Sequence, residues 1–81
     1  MKRIGVIAIV IEDKSVALDL QKILSEFGDI IIGRMGIPRE NVSAISLIVE
    51  GTTEKISALT GKLGKMSLSV KSALTSYEFD K

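Results

Sequence analysis

The pattern of apolar and polar residues along the chain predicts its first two elements. The run from Ile4 to Ile11 is apolar at nearly every position and ends at charged residues, which predicts a strand buried on both faces. Asp13 or Ser15 can then cap a helix, and Gly28 can follow its last turn. The apolar residues between these ends recur at helical spacing and form one stripe: Val16, Leu20, Ile23, Leu24 and Phe27.

The middle of the chain predicts two further strands joined by a turn. The second strand covers Asp29 to Ile37, the turn covers Pro38 to Asn41, and the third strand covers Val42 to Glu50. Because proline cannot donate a hydrogen bond to a neighbouring strand, Pro38 places the second strand at an edge of the sheet. The third strand alternates, and its most apolar face carries Ile45, Leu47 and Val49.

A second helix and a fourth strand complete the pattern. Thr52 or Thr53 can cap this helix, and its buried stripe at helical spacing is Ile56, Leu59 and Leu63. Gly61 lies inside the helix at a cost of about 1 kcal/mol relative to alanine, so we expect a neighbouring element to pack closely there. The alternation from Met66 to Ser76 predicts a half-buried strand, and Tyr77 to Lys81 forms a short tail.

The order of elements is strand, helix, strand, strand, helix, strand, which is the split βαβ pattern of an α+β, ferredoxin-like sandwich. We therefore expect one domain over residues 1–81 with an antiparallel sheet in the order 4-1-3-2 and two helices on one face. The first and third strands, the most apolar, then lie in the centre. Because the helices cover only one face, the other would expose an apolar patch, which predicts a homodimer or a homotetramer.

Composition narrows the function classes. The chain contains no cysteine and no histidine, so we predict no metal site, no cofactor and no catalytic residues. A net charge of +1 and central strands without aromatic residues argue against direct binding of nucleic acid. No apolar run reaches the ~20 residues of a membrane span. Acidic residues follow the first run where a signal-peptide cleavage site needs small ones, so we expect a cytoplasmic protein that does not bind membranes.

The predicted edge strand is the first candidate site. Gly33 and Gly36 weaken its interior, which predicts a bulge or the close approach of another backbone or of a ligand. Arg34 between them either keeps the edge soluble or pairs with a carboxylate of a ligand or of a neighbouring subunit. Met35 is better explained by core packing than by metal binding, and the same holds for Met66.

The start of the second helix is a weaker candidate. Gly51, Thr52 and Thr53 can present free backbone N–H groups to an anion. The simpler interpretation is that a threonine caps the helix and no anion binds, because every helix start needs such a partner.

Several segments resemble known families. The turn from Ile11 to Ala17 is similar to the turn after the first strand of ACT domains, which are small regulatory modules, and Ser15 stands where those domains have glycine. Three longer segments resemble the regulators of the iron-only hydrogenase system, which are small stand-alone ACT-like proteins: DIIIGRMGIP at 29–38, ISLIVEGTT at 45–53 and ISALTGKLGK at 56–65. The resemblance implies a non-enzymatic regulatory module that senses a small ligand such as an amino acid.

The resemblance to ACT-type dimers also implies where that ligand binds. It places the segment from Gly33 to Gly36 at a subunit interface, near Asp13, Lys14, Ser15 and Val16 of a neighbouring chain. A hydrogenase-maturation or regulatory protein would be the partner. The fold is also similar to the C-terminal sensor domain of the nickel-responsive repressor, whose metal-binding His and Cys residues this chain lacks. The alternative function is a structural or assembly protein of hydrogenase maturation that has no small-molecule ligand.

Overall fold

The fold follows the predicted order of strands and helices. The computed structural model describes residues 2–66 and 69–79. Its elements are β1 (Lys2–Ile11), a 3-10 turn (Lys14–Val16), α1 (Ala17–Glu26), β2 (Ile31–Pro38), β3 (Ser43–Thr52), α2 (Thr53–Gly64) and β4 (Ser69–Phe79). The strands form one antiparallel sheet in the order β2-β3-β1-β4. This confirms the ferredoxin-like sandwich, with the first and third strands in the centre and the second and fourth at the edges.

The hydrophobic core lies between the two helices and one face of the sheet. Alternate residues of β1 are buried, and so are Leu47 and Val49 of β3, because side chains of a strand point to opposite faces in turn. The predicted stripes of both helices meet this face. The buried apolar residues are Ile7, Ile9, Ile11, Leu20, Leu24, Phe27, Ile30, Leu47, Val49, Ile56, Leu59 and Leu63. Strand β1 is thus buried on one face only within a single chain, whereas the sequence predicted burial on both.

The 3-10 turn before α1 and the helix α2 each begin where a side chain accepts a backbone hydrogen bond, whereas Val16, the N-cap residue of α1 itself, makes no such bond with its side chain. Asp13 Oδ1 accepts a bond of 2.9 Å from the N–H of Ser15 and starts the 3-10 turn that leads into α1. Thr52 Oγ1 accepts a bond of 3.2 Å from the N–H of Lys55 at the start of α2. Both residues were among the predicted caps. None of the described helices is long and apolar enough to cross a lipid bilayer.

Side chains on the surface connect the two helices. Lys62 Nζ lies 3.1 Å from a carboxylate oxygen of Glu26 and 5.8 Å from the centre of the Phe27 ring. Both charged groups are about half exposed, so this ion pair stabilises the fold by less than about 1 kcal/mol. The position of α1 over the sheet therefore depends mainly on its buried stripe.

Several boundaries of the first three strands differ from the prediction by one or two residues: β1 begins at Lys2, β2 includes Pro38, which was predicted to start the turn, and β3 begins at Ser43. Strand β2 begins at Ile31 and not at Asp29, because the N–H groups of Ile30 and Ile31 donate to the carbonyl of Phe27 and continue the turn after α1. Strand β3 extends beyond Glu50 and ends with the N-cap residue Thr52.

The last strand also extends further than predicted. Strand β4 runs from Ser69 to Phe79, so Tyr77 belongs to the sheet and not to a tail. The hydroxyl of Thr75 donates a 2.9 Å hydrogen bond to the carbonyl of Ile4, which ties this end of β4 to the central strand. The predicted strand residues 67 and 68, and the tail residues 80 and 81, lie outside the described residues.

The predictions made from the glycines are confirmed at one position and wrong at another. The register of β2 against β3 shifts between Ile31 and Gly33, which confirms the predicted bulge. The close packing expected at Gly61 is wrong, since a Cβ there would meet nothing within 4 Å. Gly28 follows the end of α1 as expected but does not adopt a positive φ.

Candidate functional site

The face of the sheet opposite the helices, here called the open face, is apolar and uncovered in the single chain. Because the core residues of β1 and β3 point to the helices, their alternate neighbours point to the open face. Six large apolar side chains on this face are between 36% and 63% exposed: Val6, Val10, Ile32, Met35, Ile37 and Ile48. The expectation that Met35 packs in the core is wrong, whereas Met66 does pack against it. Contiguous apolar surface of this kind marks a place where another molecule binds.

A shallow depression lies on the β1–β4 side of the open face. Its volume is about 370 Å³, and its lining is Ala8, Val10, Ser69, Val70 and Lys71. The small residues Ala8 and Ser69 leave this space empty, and Lys71 brings a positive charge to its rim. The lining offers apolar contact and few polar groups for a specific small ligand.

The predicted site residues of β2 are divided between the two faces of the sheet. Gly33 and Met35 lie opposite Ile48 and Ser46 of β3, on the open face. Arg34 lies opposite Leu47, whose side chain is completely buried under the helices. Gly36 shares the parity of Arg34 and so also faces the helix side. These four residues therefore lie on two different surfaces of the sheet.

On the helix side of β2, polar groups lie beside unfilled space. Arg34 Nη1 donates a 3.2 Å hydrogen bond to Oε1 of Gln21 on α1. A Cβ at Gly36 would meet nothing within 4 Å, so α1 does not cover this end of the edge strand. Residues two apart on a strand are about 6.5–7 Å from each other, so the guanidinium and the open space are neighbours. The sequence analysis missed Gln21, because no local pattern marks a glutamine that meets a strand thirteen residues away.

The turn before α1 lies at the same end of the sheet as the end of β2. Ile11 pairs with Ser43, and Ser43 pairs with Pro38, which brings residues 13–16 and the end of β2 to one end of the molecule. Hydrogen bonding by the side chain and then by the backbone N–H of Ser15 lowers the pKa of Asp13 from its usual 3.8. The carboxylate of Asp13 is therefore ionised at neutral pH, and one of its oxygens already accepts the capping hydrogen bond of the 3-10 turn. Lys14 and Ser15 are exposed and Val16 is half-buried.

The segment from Gly51 to Thr53 has a structural explanation. Gly51 lies in β3, where a Cβ would come within 2.8 Å of Cγ2 of Ile30. The hydroxyl of Thr52 is engaged in capping α2, which is the simpler of the two interpretations of this segment. Anion binding by the segment stays a prediction.

A second cavity beside this segment holds an ion pair that the sequence analysis missed. The cavity has a volume of about 340 Å³ and is lined by Lys2, Asp29, Ile30, Glu50, Gly51, Thr52 and Lys55. Lys55 Nζ lies 2.6 Å from Oδ2 of Asp29, and the hydrogen bond and charge of Lys55 lower the pKa of Asp29 from its usual 3.8. Neither residue could be paired from sequence, because they are 26 positions apart.

The described residues offer no arrangement suited to metal binding, since no three His, Cys, Asp or Glu side chains among residues 2–66 and 69–79 converge on one point. Among the described residues, the pKa values of the carboxyl groups of Asp13 and Asp29 are shifted, both downwards. A carboxylate with a lowered pKa is a weak general base and is not protonated to act as an acid at neutral pH.

Comparisons with known proteins agree with this geometry. No protein with a curated description matches the chain in sequence. In structure, the chain is similar to the uncharacterized protein TM1266 from Thermotoga maritima, with a TM-score of 0.86, 31% identity, and coverage of 91% of this chain and 98% of that one. It is also similar to the ACT domain of GTP pyrophosphokinase from Chlorobium tepidum, with a TM-score of 0.70, 22% identity, and coverage of 95% and 90%. The second likeness shows the fold alone.

A match to a family model shows which family the chain belongs to. The model described as "TM1266-like: Iron-only hydrogenase system regulator, putative" matches residues 3–72, from the beginning of β1 into β4. The match therefore includes the edge strand, both helices and most of the open face. The chain belongs to the TM1266-like family of iron-only hydrogenase system regulators, and its fold is that of a small ACT-like domain.

Proposed function

We propose that this chain is a non-enzymatic regulatory module of the iron-only hydrogenase system that binds a small carboxylic acid, such as an amino acid, at a subunit interface. Binding would act through a hydrogenase-maturation or regulatory protein. The family description supports the regulatory context. The observation that carries the ligand site is the edge of β2, where Arg34 and Gln21 lie beside the unfilled space at Gly36.

Arg34 is chemically suited to recognise a carboxylate. Its guanidinium has five N–H donors, so the single hydrogen bond to Gln21 leaves enough donors for a bidentate pair. Gln21 holds the guanidinium over the strand, which lowers the entropy lost when a ligand binds. An acid seated there would occupy the space at Gly36 without displacing a side chain.

The outer edge of β2 supplies the second part of the site. An edge strand has backbone N–H and C=O groups that no neighbouring strand satisfies, and these can bind an amino group or a second subunit. The proposed assembly is a homodimer or a homotetramer. It brings the turn of Asp13, Lys14, Ser15 and Val16 of a neighbouring chain towards this edge, as in the ACT-type arrangement.

A ligand screen with a matched pair of variants tests this function. The thermal midpoint of the parent is measured alone and with each common amino acid and small dicarboxylic acid. A ligand at one hundred times its dissociation constant stabilises the folded state by about 2.7 kcal/mol, which raises the midpoint by roughly 10–20 °C in a domain of this size. Arg34→Ala should abolish this shift. Arg39→Ala, which removes the same charge from the exposed turn before β3, should preserve it.

The same experiment separates this function from the alternative. If no acid shifts the midpoint of the parent, and the protein isolated with its partners from native cells carries no small molecule, ligand sensing is refuted. The alternative of an assembly protein without a ligand would then replace it.

A further inference from the structure

We propose that two copies of this chain contact each other through the open face. The two copies are related by a two-fold axis that lies in the interface, runs across the strands and passes between two adjacent rows of side chains. The inference goes beyond the contact at the edge of β2 proposed above, because it concerns a separate surface of the sheet, and its test contains no ligand, so the two proposals can fail separately. It depends on the sizes of the side chains in those rows and on their registration across the sheet.

The registration of the strands defines the two rows. Residues that pair directly across antiparallel strands point to the same face and lie side by side. The first row contains Gly33, Ile48 and Val6, and the second row contains Met35, Ser46, Ala8 and Lys71.

The two rows differ in the sizes of their side chains. In the centre of the first row, Ile48 and Val6 stand side by side as a ridge. In the centre of the second row, Ser46 and Ala8 form a trough directly beside that ridge. The order is reversed on the edge strand, where glycine at position 33 belongs to the first row and the exposed Met35 to the second.

A two-fold axis between the rows places each large residue over a small one. Such an axis reverses the direction along the strands but leaves each strand over its own copy. Ile48 of one protomer then lies over Ser46 of its partner, and Val6 lies over Ala8. On β2, Met35 lies over Gly33. Facing layers that alternate large and small residues interdigitate at native packing density. Packed sheets keep their strand directions within about 30° of each other, so the rows nearest the axis remain opposed.

The size and charge of the face suit a second copy. Four strands about 4.8 Å apart and roughly eight residues deep at about 3.4 Å per residue give a face of roughly 500 Å². Two such faces bury roughly 1,000 Å², which is the lower limit for a specific interface. The two rows contain no acidic residue, and their single lysine, Lys71, lies on the edge strand β4, where a long side chain can reach solvent. A partner that covers this face must itself be apolar, and the same face of a second copy meets that requirement.

The first experiment measures oligomeric state by sedimentation equilibrium without added ligand. The parent should dimerise with a dissociation constant in the micromolar range or tighter. Ile48→Lys buries two lysines at the interface and should weaken the dimer by at least about 100-fold. Leu18→Lys is the matched control, because Leu18 is 72% exposed on α1 and away from the open face. It should leave the dimer unchanged.

A size swap tests the register of the two copies. Ser46→Ile fills the trough and should weaken the dimer by about 10- to 100-fold, although a β-branched residue on an exposed strand does not disturb the monomer. Ile48→Ser removes the ridge and should also weaken it. The double variant Ser46→Ile with Ile48→Ser exchanges ridge and trough, and so should return to within about 10-fold of the parent.

Each other outcome overturns the proposal. A parent that stays monomeric up to about 100 µM leaves this face to a different protein. A dimer that Leu18→Lys dissociates and Ile48→Lys does not uses the helix side. A double variant weaker than both single variants excludes the proposed register. Circular dichroism and the thermal midpoint of each variant show that the monomer fold is intact.

Discussion

Replacing Gly51 with alanine tests the close packing of the Ile30 side chain against the backbone of β3. A Cβ at residue 51 would lie 2.8 Å from Cγ2 and 3.2 Å from Cβ of Ile30, whereas non-bonded carbon atoms pack at about 3.5–4.0 Å. Ile30 has little freedom to move, because its side chain is only 5% exposed and its carbonyl accepts a 2.8 Å hydrogen bond from the N–H of Glu50. The new methyl group must therefore displace part of the core.

The magnitude follows from two opposing effects. An extra methylene in a packed core costs about 1–3 kcal/mol. Alanine recovers up to about 1 kcal/mol, because glycine loses more chain entropy on folding. We expect Gly51→Ala to lower the free energy of unfolding by about 1–2 kcal/mol and the thermal midpoint by roughly 4–15 °C.

The assay is urea and thermal unfolding at one fixed protein concentration, so that self-association contributes equally to each variant. Gly61→Ala is the matched control. A Cβ at residue 61 meets nothing within 4 Å, so this change should stabilise the chain by about 0.5–1 kcal/mol. In an Ile30→Ala background, Gly51→Ala should lose most of its cost, which gives a coupling of about 1 kcal/mol or more. If Gly51→Ala is as stable as the parent, the packing argument is wrong.

Two further predictions concern the start of α2 and its neighbour. Thr52→Ala removes the N-cap hydrogen bond to Lys55 and should cost about 1 kcal/mol in urea unfolding, while Thr52→Ser should keep most of it. Because the pKa of Asp29 is lowered from 3.8 in the folded chain, the stability from its pair with Lys55 is complete above that value and is lost as the pH falls through the lowered pKa. Asp29→Asn should therefore reduce the fall in thermal midpoint between about pH 5 and pH 3, and an unchanged acid profile would contradict the contribution of this pair.

The fold could be predicted from sequence because its signals are local and agree with one another. Proline at position 38 marked the edge strand, glycine at position 33 marked the bulge, and the apolar stripes marked both buried helix faces. Thr52 and Asp13 were each one of two candidate caps, which could be found because capping is a property of a few consecutive residues. Boundaries failed where a hydrogen-bonded turn replaced a strand, as at Ile30.

The site was less predictable because it depends on contacts between distant residues. Arg34 and Met35 are adjacent in sequence, yet one meets α1 and the other lies on the open face. Glycine at position 61 predicted a close neighbour and has none, whereas glycine at position 51, a weak candidate for anion binding, makes room for the side chain of Ile30. Only the relative placement of separate elements distinguishes these cases.

The order of strands also determines when the sheet can form during synthesis. The two strands in the first half of the chain, β1 and β2, are not neighbours; β3 lies between them and pairs with both. A nascent chain that ends before Ser43 therefore contains no pair of adjacent strands, although its first strand is the most apolar segment. The sheet begins only when β3 emerges, and it is completed by β4. Long-range pairing of this kind slows folding, so the apolar β1 stays exposed to chaperones and to other nascent chains until β3 and β4 have been made.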